Sequence, residues 1–401
     1  MGKNKTIKTD IFISGGGVPG FLLASLLAQS GFDVTIADPA PCNPYDPATP
    51  DGRTAALMER SIEAFINVGA WAHCKDHGAD LQTLRIIDDS QKSAKSPTQI
   101  DFKASEIARA RFGRNVPISA MRAALYDVAQ KHANIHILSE GLYDFTTEDN
   151  SVRARTDSGT EITARLIIGA DGRHSPTRKI AGIECKTHDY GRAAITCLLS
   201  HTQDHEYIST EFHRPSGPFT LVPMPGQTSA LVWVDTTDNI EAFMRLPRGA
   251  FIDMIQTNSR DILGSVDLIS DPLSWPLKML KAKRLTAPRT ILIAEAAHVL
   301  TPLGAQGLNL SIRDATILAA HLTEAARSGQ DIGTKIVLDG YEAKRRHDMS
   351  LRVMGTHSLM QMVTQDSAAV SSLRKMGLKT LDKLPAIKKM LMNEGLAPQS
   401  L

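Results

Sequence analysis

Asp10-Ile-Phe-Ile-Ser14 is a short apolar run that ends in glycines, and Phe21 to Gln29 is rich in Leu and Ala, so the pattern predicts strand, tight turn and helix in succession. Phe32-Asp-Val-Thr-Ile-Ala-Asp38 is a β-branched run after Gly31, which makes the chain up to residue 38 a βαβ unit with a parallel strand pair. Residues 39 to 52 are dense in Pro, Asp and Gly and read as loop. From Arg53 to Ala72, apolar positions at Leu57, Ile62, Phe65, Ile66 and Val68 predict a helix, whereas residues 81 to 103 alternate as strands do. Another helix is predicted from Ser119 to Lys131, with Ser119 as its cap and Met121, Leu125 and Val128 at helical spacing. Short strands follow at 135–138, 142–147, 151–156 and 161–169, the last two separated by the hairpin-type turn Asp157-Ser-Gly159.

From 185 to 280 the texture changes to extended segments punctuated by Pro215, Pro218, Pro223, Pro225 and Pro247. Ala193 to Ser200, Phe219 to Val222 and Ala230 to Asp235 read as strands of a mainly antiparallel sheet, inserted between two parts of the first domain. Parallel texture returns at Arg289-Thr-Ile-Leu-Ile-Ala294, followed by a glycine-containing loop and a helix from about Ala305 into Arg327. From Gly340 onward the chain reads as predominantly helical.

Composition narrows the function classes. A chain of 401 residues with 42% hydrophobic and 22% charged residues can bury a large core and is neither disordered nor fibrous. Lys+Arg at 45 against Asp+Glu at 43 leaves a formal charge of +2, which excludes a generally basic nucleic-acid binder. Cys42, Cys74, Cys185 and Cys197 show no CxxC spacing, so neither a disulfide framework nor a zinc site is expected, and a reducing, cytoplasmic setting fits. No apolar stretch is long enough to span a bilayer. Lys3, Lys5 and Lys8 before a mostly apolar run imitate a signal peptide, but Asp10 and the glycines at 15 to 17 interrupt it.

Those glycines form Gly15-Gly16-Gly17-Val18-Pro19-Gly20, a GxGxxG pattern through Gly15, Gly17 and Gly20 set directly between strand and helix. Gly15 permits the tight turn, Gly17 lets the backbone approach a pyrophosphate, Gly20 allows close helix packing, and the helix N-terminus supplies partial positive charge. Asp38, at the end of the second strand, can accept hydrogen bonds from ribose hydroxyls. NAD and FAD are not distinguished by this turn. The predicted fold is α/β, a Rossmann-like dinucleotide-binding domain with an inserted, mainly antiparallel β layer and a helical C-terminus. The dinucleotide domain takes residues 1–80, 105–184 and 285–340, the β-rich substrate domain 81–104 and 185–284, and the helical region 341–401.

Two further motifs are Gly169-Ala170-Asp171-Gly172-Arg173-His174-Ser175 with Arg178, and Leu292-Ile293-Ala294-Glu295-Ala296-Ala297-His298 with Pro302-Leu303-Gly304-Ala305-Gln306-Gly307-Leu308-Asn309 and Arg313-Asp314-Ala315. With the glycine turn, they stand in the order and at about the separations of the FAD-dependent aromatic hydroxylases of the p-hydroxybenzoate hydroxylase type, which the chain resembles. Gly217-Pro-Phe-Thr-Leu-Val-Pro-Met-Pro225, Trp275-Pro-Leu and the tail Leu373 to Pro385 make it most similar to the ubiquinone-biosynthesis hydroxylases. The resemblance runs from about residue 10 to about 395.

The resemblance implies an FAD-binding domain and roles for individual residues. Asp171 matches an aspartate beside the pyrophosphate that is associated with flavin and NAD(P)H handling, although a short acid after a strand can also cap the next turn. Arg53 matches an arginine close to the FAD, against a plain reading as a solvated helix-start arginine. Arg122 matches a position that contacts the cofactor in some members and varies in others. Pro302 to Asn309, with Gln306, Gly307 and Asn309, matches the flavin-ring loop, whose N–H groups can stabilise negative charge on the ring, and Pro302 lines the flavin and substrate side. His298 reads more readily as buried structure than as an acid or base.

The pattern departs from the family at four places. Ala294-Glu295 stands for Gly-Asp, Ala305 for the first glycine of Gly-Gln-Gly, and Ser311 for glycine. Glu295 keeps the carboxylate that would bind ribitol hydroxyls, while Ala294 and Ala305 add methyls where the backbone nears the cofactor. The implied reaction is oxygen insertion into an electron-rich ring through a flavin C4a-hydroperoxide, with O₂ as co-substrate and NADPH or NADH as reductant. The expected substrate is a polyprenylated phenol that precedes ubiquinone. A soluble phenol is the second enzyme reading, and a catalytically degenerate scaffold in a quinone-biosynthesis complex is the reading that the four departures motivate.

The tail adds a separate signal. Arg374, Lys375, Lys379, Lys383, Lys388 and Lys389 stand against Asp382 and Glu394, with Leu373, Met376, Leu381, Leu384, Ile387 and Leu391 at near-helical spacing. Such a basic amphipathic helix can lie on the inner face of a membrane, or pack on the domain or on a partner in a multi-enzyme complex.

Overall fold

The computed structural model describes residues 6–89, 98–301, 306–364 and 384–393. At its centre, strands Ile11–Ser14 and Val34–Ala37 pair in parallel, with Ile11 opposite Val34. Both strands are buried along their whole length, as a parallel sheet covered on two faces requires. They belong to a six-stranded sheet in the order Thr286–Ala287, Thr290–Leu292, Leu166–Gly169, Ile11–Ser14, Val34–Ala37, Ile135–Leu138. Only the two-residue edge strand runs antiparallel to its neighbour.

Helix Val18–Gln29 covers one face of this sheet together with Ile118–Ala129 and Gln306–Arg327. On the other face a four-stranded sheet, Thr6–Lys8, Glu161–Ala164, Val152–Thr156 and Leu142–Thr147, packs through Phe145, Val152 and Ile162 against Phe12, Leu138 and Ile167. The run read as one strand over 161–169 therefore divides between two sheets. Arg165 is the point of division: its half-exposed guanidinium lies 3.4 Å from both Asp10 and Asp331, a position a continuous buried strand cannot offer.

Two further expectations are corrected. Of the helix read from Arg53 to Ala72, Thr54–Met58 is a strand antiparallel to Gly113–Pro117, and only Glu59–Asn67 and Trp71–Cys74 are helical. Gly113 makes the pairing possible, since a Cβ there would sit 2.0 Å from the Leu57 carbonyl oxygen. Ser119 does not cap its helix, which starts at Ile118 after Pro117, and its hydroxyl is buried without a partner among the described residues.

The large sheet runs His298–Val299, Leu273–Ala282, Cys185–His201, Thr228–Thr236, Phe219–Met224, Ile208–His213, Thr83–Asp88, Thr98–Lys103, with Val266–Leu268 also paired to Cys185–His201. It is mainly antiparallel, as expected, but Ile208–His213 and Thr83–Asp88 pair in parallel. The two faces alternate along each strand. Ile195, Leu231 and Trp233 point to a core built with helices Thr237–Met244 and Arg248–Asn258, while Thr196, Val232 and Val234 line a cavity on the opposite face. Those two helices lie where the sequence reads as β, and Thr236 caps the first by accepting from the Asn239 N–H at 3.3 Å. The last long element, Lys335–Thr364, starts ahead of the expected Gly340.

Candidate active site

The glycine turn is shaped by close backbone approach. Gly15 has φ +112°, and a Cβ there would lie 2.3 Å from the Ala170 carbonyl oxygen. A Cβ on Gly20 would lie 2.0 Å from the Gly15 oxygen. Gly17 is different: nothing stands closer to a Cβ there than Pro19 Cδ at 3.8 Å, and Gly17 faces the cavity. Gly17 is also the N-cap of helix Val18–Gln29, with no side-chain cap and no acidic residue in the first turn. This leaves the positive helix terminus available to an anion.

Asp38 and Arg122 hold the turn from behind. Asp38 accepts from the Gly16 N–H at 2.6 Å and the Ala40 N–H at 2.8 Å. Arg122 donates to the carbonyls of Gly16 at 2.7 Å, Ala40 at 2.8 Å and Pro41 at 2.9 Å, and lies 3.7 Å from Asp38. In the second motif, one oxygen of Asp171 accepts from the Ser14 hydroxyl at 3.1 Å and from the Thr177 hydroxyl and N–H at 2.6 and 3.0 Å. Its other oxygen is buried and has no partner among the described residues. Asp171 thus caps the following turn.

The third motif is tied to the rest by charges that sequence reasoning gave no role. Arg178 donates to the carbonyls of Arg173 and Ala296, both at 2.8 Å, which staples the second motif to the third. Ala294 occupies the left-handed region at φ +55°, where the family's glycine is at ease, and its N–H donates to Asp314 at 2.9 Å. The same Asp314 oxygen lies 2.6 Å from His298 Nε2, and the other accepts from Arg345 Nε at 2.8 Å and from its terminal nitrogen at 2.6 Å. Burial alone would raise the Asp314 carboxyl, but His298, Arg345 and the Ala294 amide hold it below the usual carboxylate range. Arg345 also donates to Asp348 at 2.6 Å, Asp348 accepts from Arg352 at 2.9 Å, and Arg352 donates to Gln306 at 2.9 Å. Asp314 stands in the quoted motif, so a pattern signal existed. Arg345, only 1% exposed, carries none.

The remaining candidates divide between cavity wall and scaffold. Glu295 lines the cavity 3.5 Å from Arg173, and Gly307 lines it as well. Ser311 lines it too, with its added hydroxyl satisfied internally by the Gly307 carbonyl at 3.0 Å. Asn309 braces the opposite wall by accepting from Met58 N–H at 2.9 Å and Ser61 at 2.6 Å and donating to the Ala56 carbonyl at 2.8 Å. Arg53 is half-exposed, paired with Asp51 at 2.7 Å, and 5.9 Å over the ring of Trp275, which lines the cavity. Pro302 and Ala305 lie outside the described residues.

These walls enclose a cavity of about 590 Å³. The glycine turn with residues from 294–301 and 307–311 forms one side, and Val222, Val232, Val234 and Leu277 of the large sheet form a mostly aliphatic second side. The FAD binding domain family matches residues 8–355. Over 393 residues the chain is 30% identical to the ubiquinone hydroxylase UbiL of Rhodospirillum rubrum, covering 98% of this chain and 90% of that protein. The chain belongs to the FAD-dependent monooxygenase family that includes the ubiquinone hydroxylases. The enzyme is also 25% identical to the 3-demethoxyubiquinol 3-hydroxylase of Escherichia coli over 383 residues, covering 95% of this chain and 96% of that protein. Its fold is shared with p-nitrophenol 4-monooxygenase PnpA of Pseudomonas putida at a TM-score of 0.79, 16% identity and coverage of 99% and 100% of the two chains. PqsL of Pseudomonas aeruginosa, solved with 2-aminobenzoylacetate, superposes with a TM-score of 0.78 at 20% identity, covering 93% of this chain and 100% of its own. The site fits FAD: an uncapped helix N-terminus and an open Gly17 face the cavity, and between the cavity-lining Ala170 and Gly172, Asp171 holds a buried oxygen with no partner among the described residues.

Proposed function

We propose that this enzyme hydroxylates the aromatic ring of a polyprenylated phenol on the way to ubiquinone, with FAD, O₂ and NADH or NADPH. The observation that carries the reading is the aliphatic wall facing the glycine turn, a surface suited to a phenol that carries an isoprenoid chain. Bound FAD supplies electron transfer and O₂ activation. The chain supplies position and dryness. Gly17 and the N-terminus of Val18–Gln29 would hold the diphosphate, Asp38 a ribose, Asp171 the adjoining pyrophosphate region and Glu295 the ribitol hydroxyls. Gln306 and Gly307, at the start of helix Gln306–Arg327, would face the flavin ring, while Arg122 and Asn309 keep the two walls in register. Val222, Val232 and Val234 keep water away from the reacting ring. The relatives named as ubiquinone hydroxylases support the same substrate class.

The tail supports a peripheral location at the cytoplasmic face of a membrane. Among the described residues no helix is long and apolar enough to cross one. Helix Pro385–Leu391 docks by Lys388, which reaches Glu106 at 2.9 Å and lies 5.5 Å over Phe102, and Met392 is buried in the same cluster. Leu384, Ile387 and Met390 remain exposed beside Lys389, an apolar and basic face suited to anionic lipid. The basic stretch 371–383 lies outside the described residues. In the test, purified protein is yellow and oxidises NADH or NADPH faster with 2-farnesylphenol than with phenol. A colourless protein that stays colourless with added FAD contradicts the proposal and supports the scaffold reading, while preference for phenol supports the soluble substrate.

A further inference from the structure

Resting on the phenol-hydroxylase reading, we infer that Glu211 sets the charge specificity of the cavity: its carboxylate keeps out rings that carry an anionic group and admits neutral phenols. Strand Ile208–His213 alternates between the two faces of the large sheet. Phe212 points to the helix-covered core, whereas Ser209 and Glu211 line the cavity. In register, Glu211 stands opposite Thr220, Thr220 opposite Val232, and Val232 opposite Thr196. All four line the cavity, and Glu211 is the charged member of that row. Its Oε1 lies 2.6 Å from His213 Nε2. The other oxygen has no partner among the described residues, and the side chain keeps 13% of its surface exposed, so water, or a ligand in its place, reaches the carboxyl group. A brace for His213 needs one oxygen only, and an amide would serve equally. Charge is what a carboxylate adds.

Nothing else on the described wall offers an anion a free positive partner. Of the lysines and arginines that line the cavity, Arg173 is engaged by Glu295 at 3.5 Å and Lys278 by Asp189 at 3.1 Å. His298 faces Asp314 at 2.6 Å. Beside Glu211 itself, Thr220 brings a hydroxyl and Ile86, in register on the neighbouring strand, brings an alkyl chain. The Glu211–His213 pair is anionic or neutral, according to whether the imidazole holds a second proton, and in neither state is it cationic. Two like charges separated by about the width of an aromatic ring repel more where aliphatic walls displace water, because the Coulomb energy scales inversely with the local dielectric. An anionic ring also gives up its hydration on entry without gaining a cation in return. A neutral phenol meets neither penalty. Glu211 therefore discriminates by raising the free energy of the wrong ligand rather than by lowering that of the right one.

The matched probes are 2-farnesylphenol and 3-farnesyl-4-hydroxybenzoate, which differ only by the ring carboxylate. Calorimetric titration of the FAD-loaded wild type near neutral pH is expected to show a preference of about tenfold or more for the phenol. Glu211→Gln keeps the shape of the side chain and an oxygen for His213 while removing the charge. It is expected to bring the two dissociation constants within about threefold of each other by tightening the benzoate, with phenol affinity and flavin absorbance unchanged. Wild-type protein that binds the benzoate as tightly as the phenol overturns the proposal without recourse to any variant. So does E211Q with the wild-type preference, and so does a preference lost because the phenol weakens, since Glu211 would then hold the hydroxyl rather than exclude anions. Discrimination of the expected size in a protein that hydroxylates neither compound contradicts the hydroxylase reading and leaves the assignment of Glu211 standing.

Discussion

Single residues set the fine geometry of the site, and Ala294 is the most informative. It holds φ +55° on the cavity wall, and its N–H is committed to Asp314, so the methyl cannot relax by rotating the peptide. Ala294→Gly is expected to stabilise the fold by about 1 kcal/mol, a rise of roughly one degree in thermal midpoint for a chain of this length. An unchanged or lower midpoint contradicts the strain argument. The glycines were legible because GxGxxG is a local signal: Gly15, Gly17 and Gly20 act within a few residues of one another. The partners of Asp314 were not legible, because Arg345 reaches it from another helix, 31 positions along the chain, and nothing near Arg345 marks a buried cation.

Among elements, the contact between helices Gln306–Arg327 and Lys335–Thr364 carries the clearest electrostatic consequence. Partial burial alone would raise the Asp348 carboxyl, but Arg345, Arg313 and Arg352 outweigh it and bring it down to about 2. A carboxylate whose folded pKa lies below its unfolded value stabilises the fold above the unfolded value, and that stability is lost as pH falls toward the folded one. Between pH 4 and pH 2 the protein should lose on the order of 1–2 kcal/mol through this group, allowing for its partial solvent exposure. Urea midpoints measured across that range test it: Asp348→Asn should be less stable at pH 6 and should show a shallower decline on acidification. An identical decline would assign the acid sensitivity elsewhere. Elements built by local periodicity matched the sequence, as at Ile135–Leu138 and Leu142–Thr147. Those set by distant pairing did not. Thr54–Met58 is a strand because Gly113–Pro117 lies beside it, and 161–169 divides because Arg165 must reach two acids.

At the scale of the whole molecule, the inserted sheet and the parallel sheet meet around one cavity, and what they bury also decides thiol chemistry. Burial pushes the Cys74 and Cys197 thiols up to about 12. An aromatic disulfide reagent at pH 8 should therefore leave both unmodified in the native protein and label them on denaturation, whereas Cys42 and Cys185 are partly accessible. Rapid native labelling of Cys74 or Cys197 would contradict the buried positions. The order of three motifs revealed the α/β plan, but the helices Thr237–Met244 and Arg248–Asn258 escaped, since a short amphipathic helix over a sheet differs little in periodicity from the strands around it. The near-neutral charge of +2 likewise hid a basic tail whose described part docks through Lys388 and exposes Ile387 and Met390.

The cavity is where O₂-derived oxygen is expected to enter an aromatic ring. Incubating the FAD-loaded protein with 2-farnesylphenol, NADH or NADPH and isotopically heavy O₂, and weighing the product by mass spectrometry, measures that directly. One labelled oxygen in the ring is the predicted result. Reductant consumed with only hydrogen peroxide formed, or an unlabelled product, contradicts it.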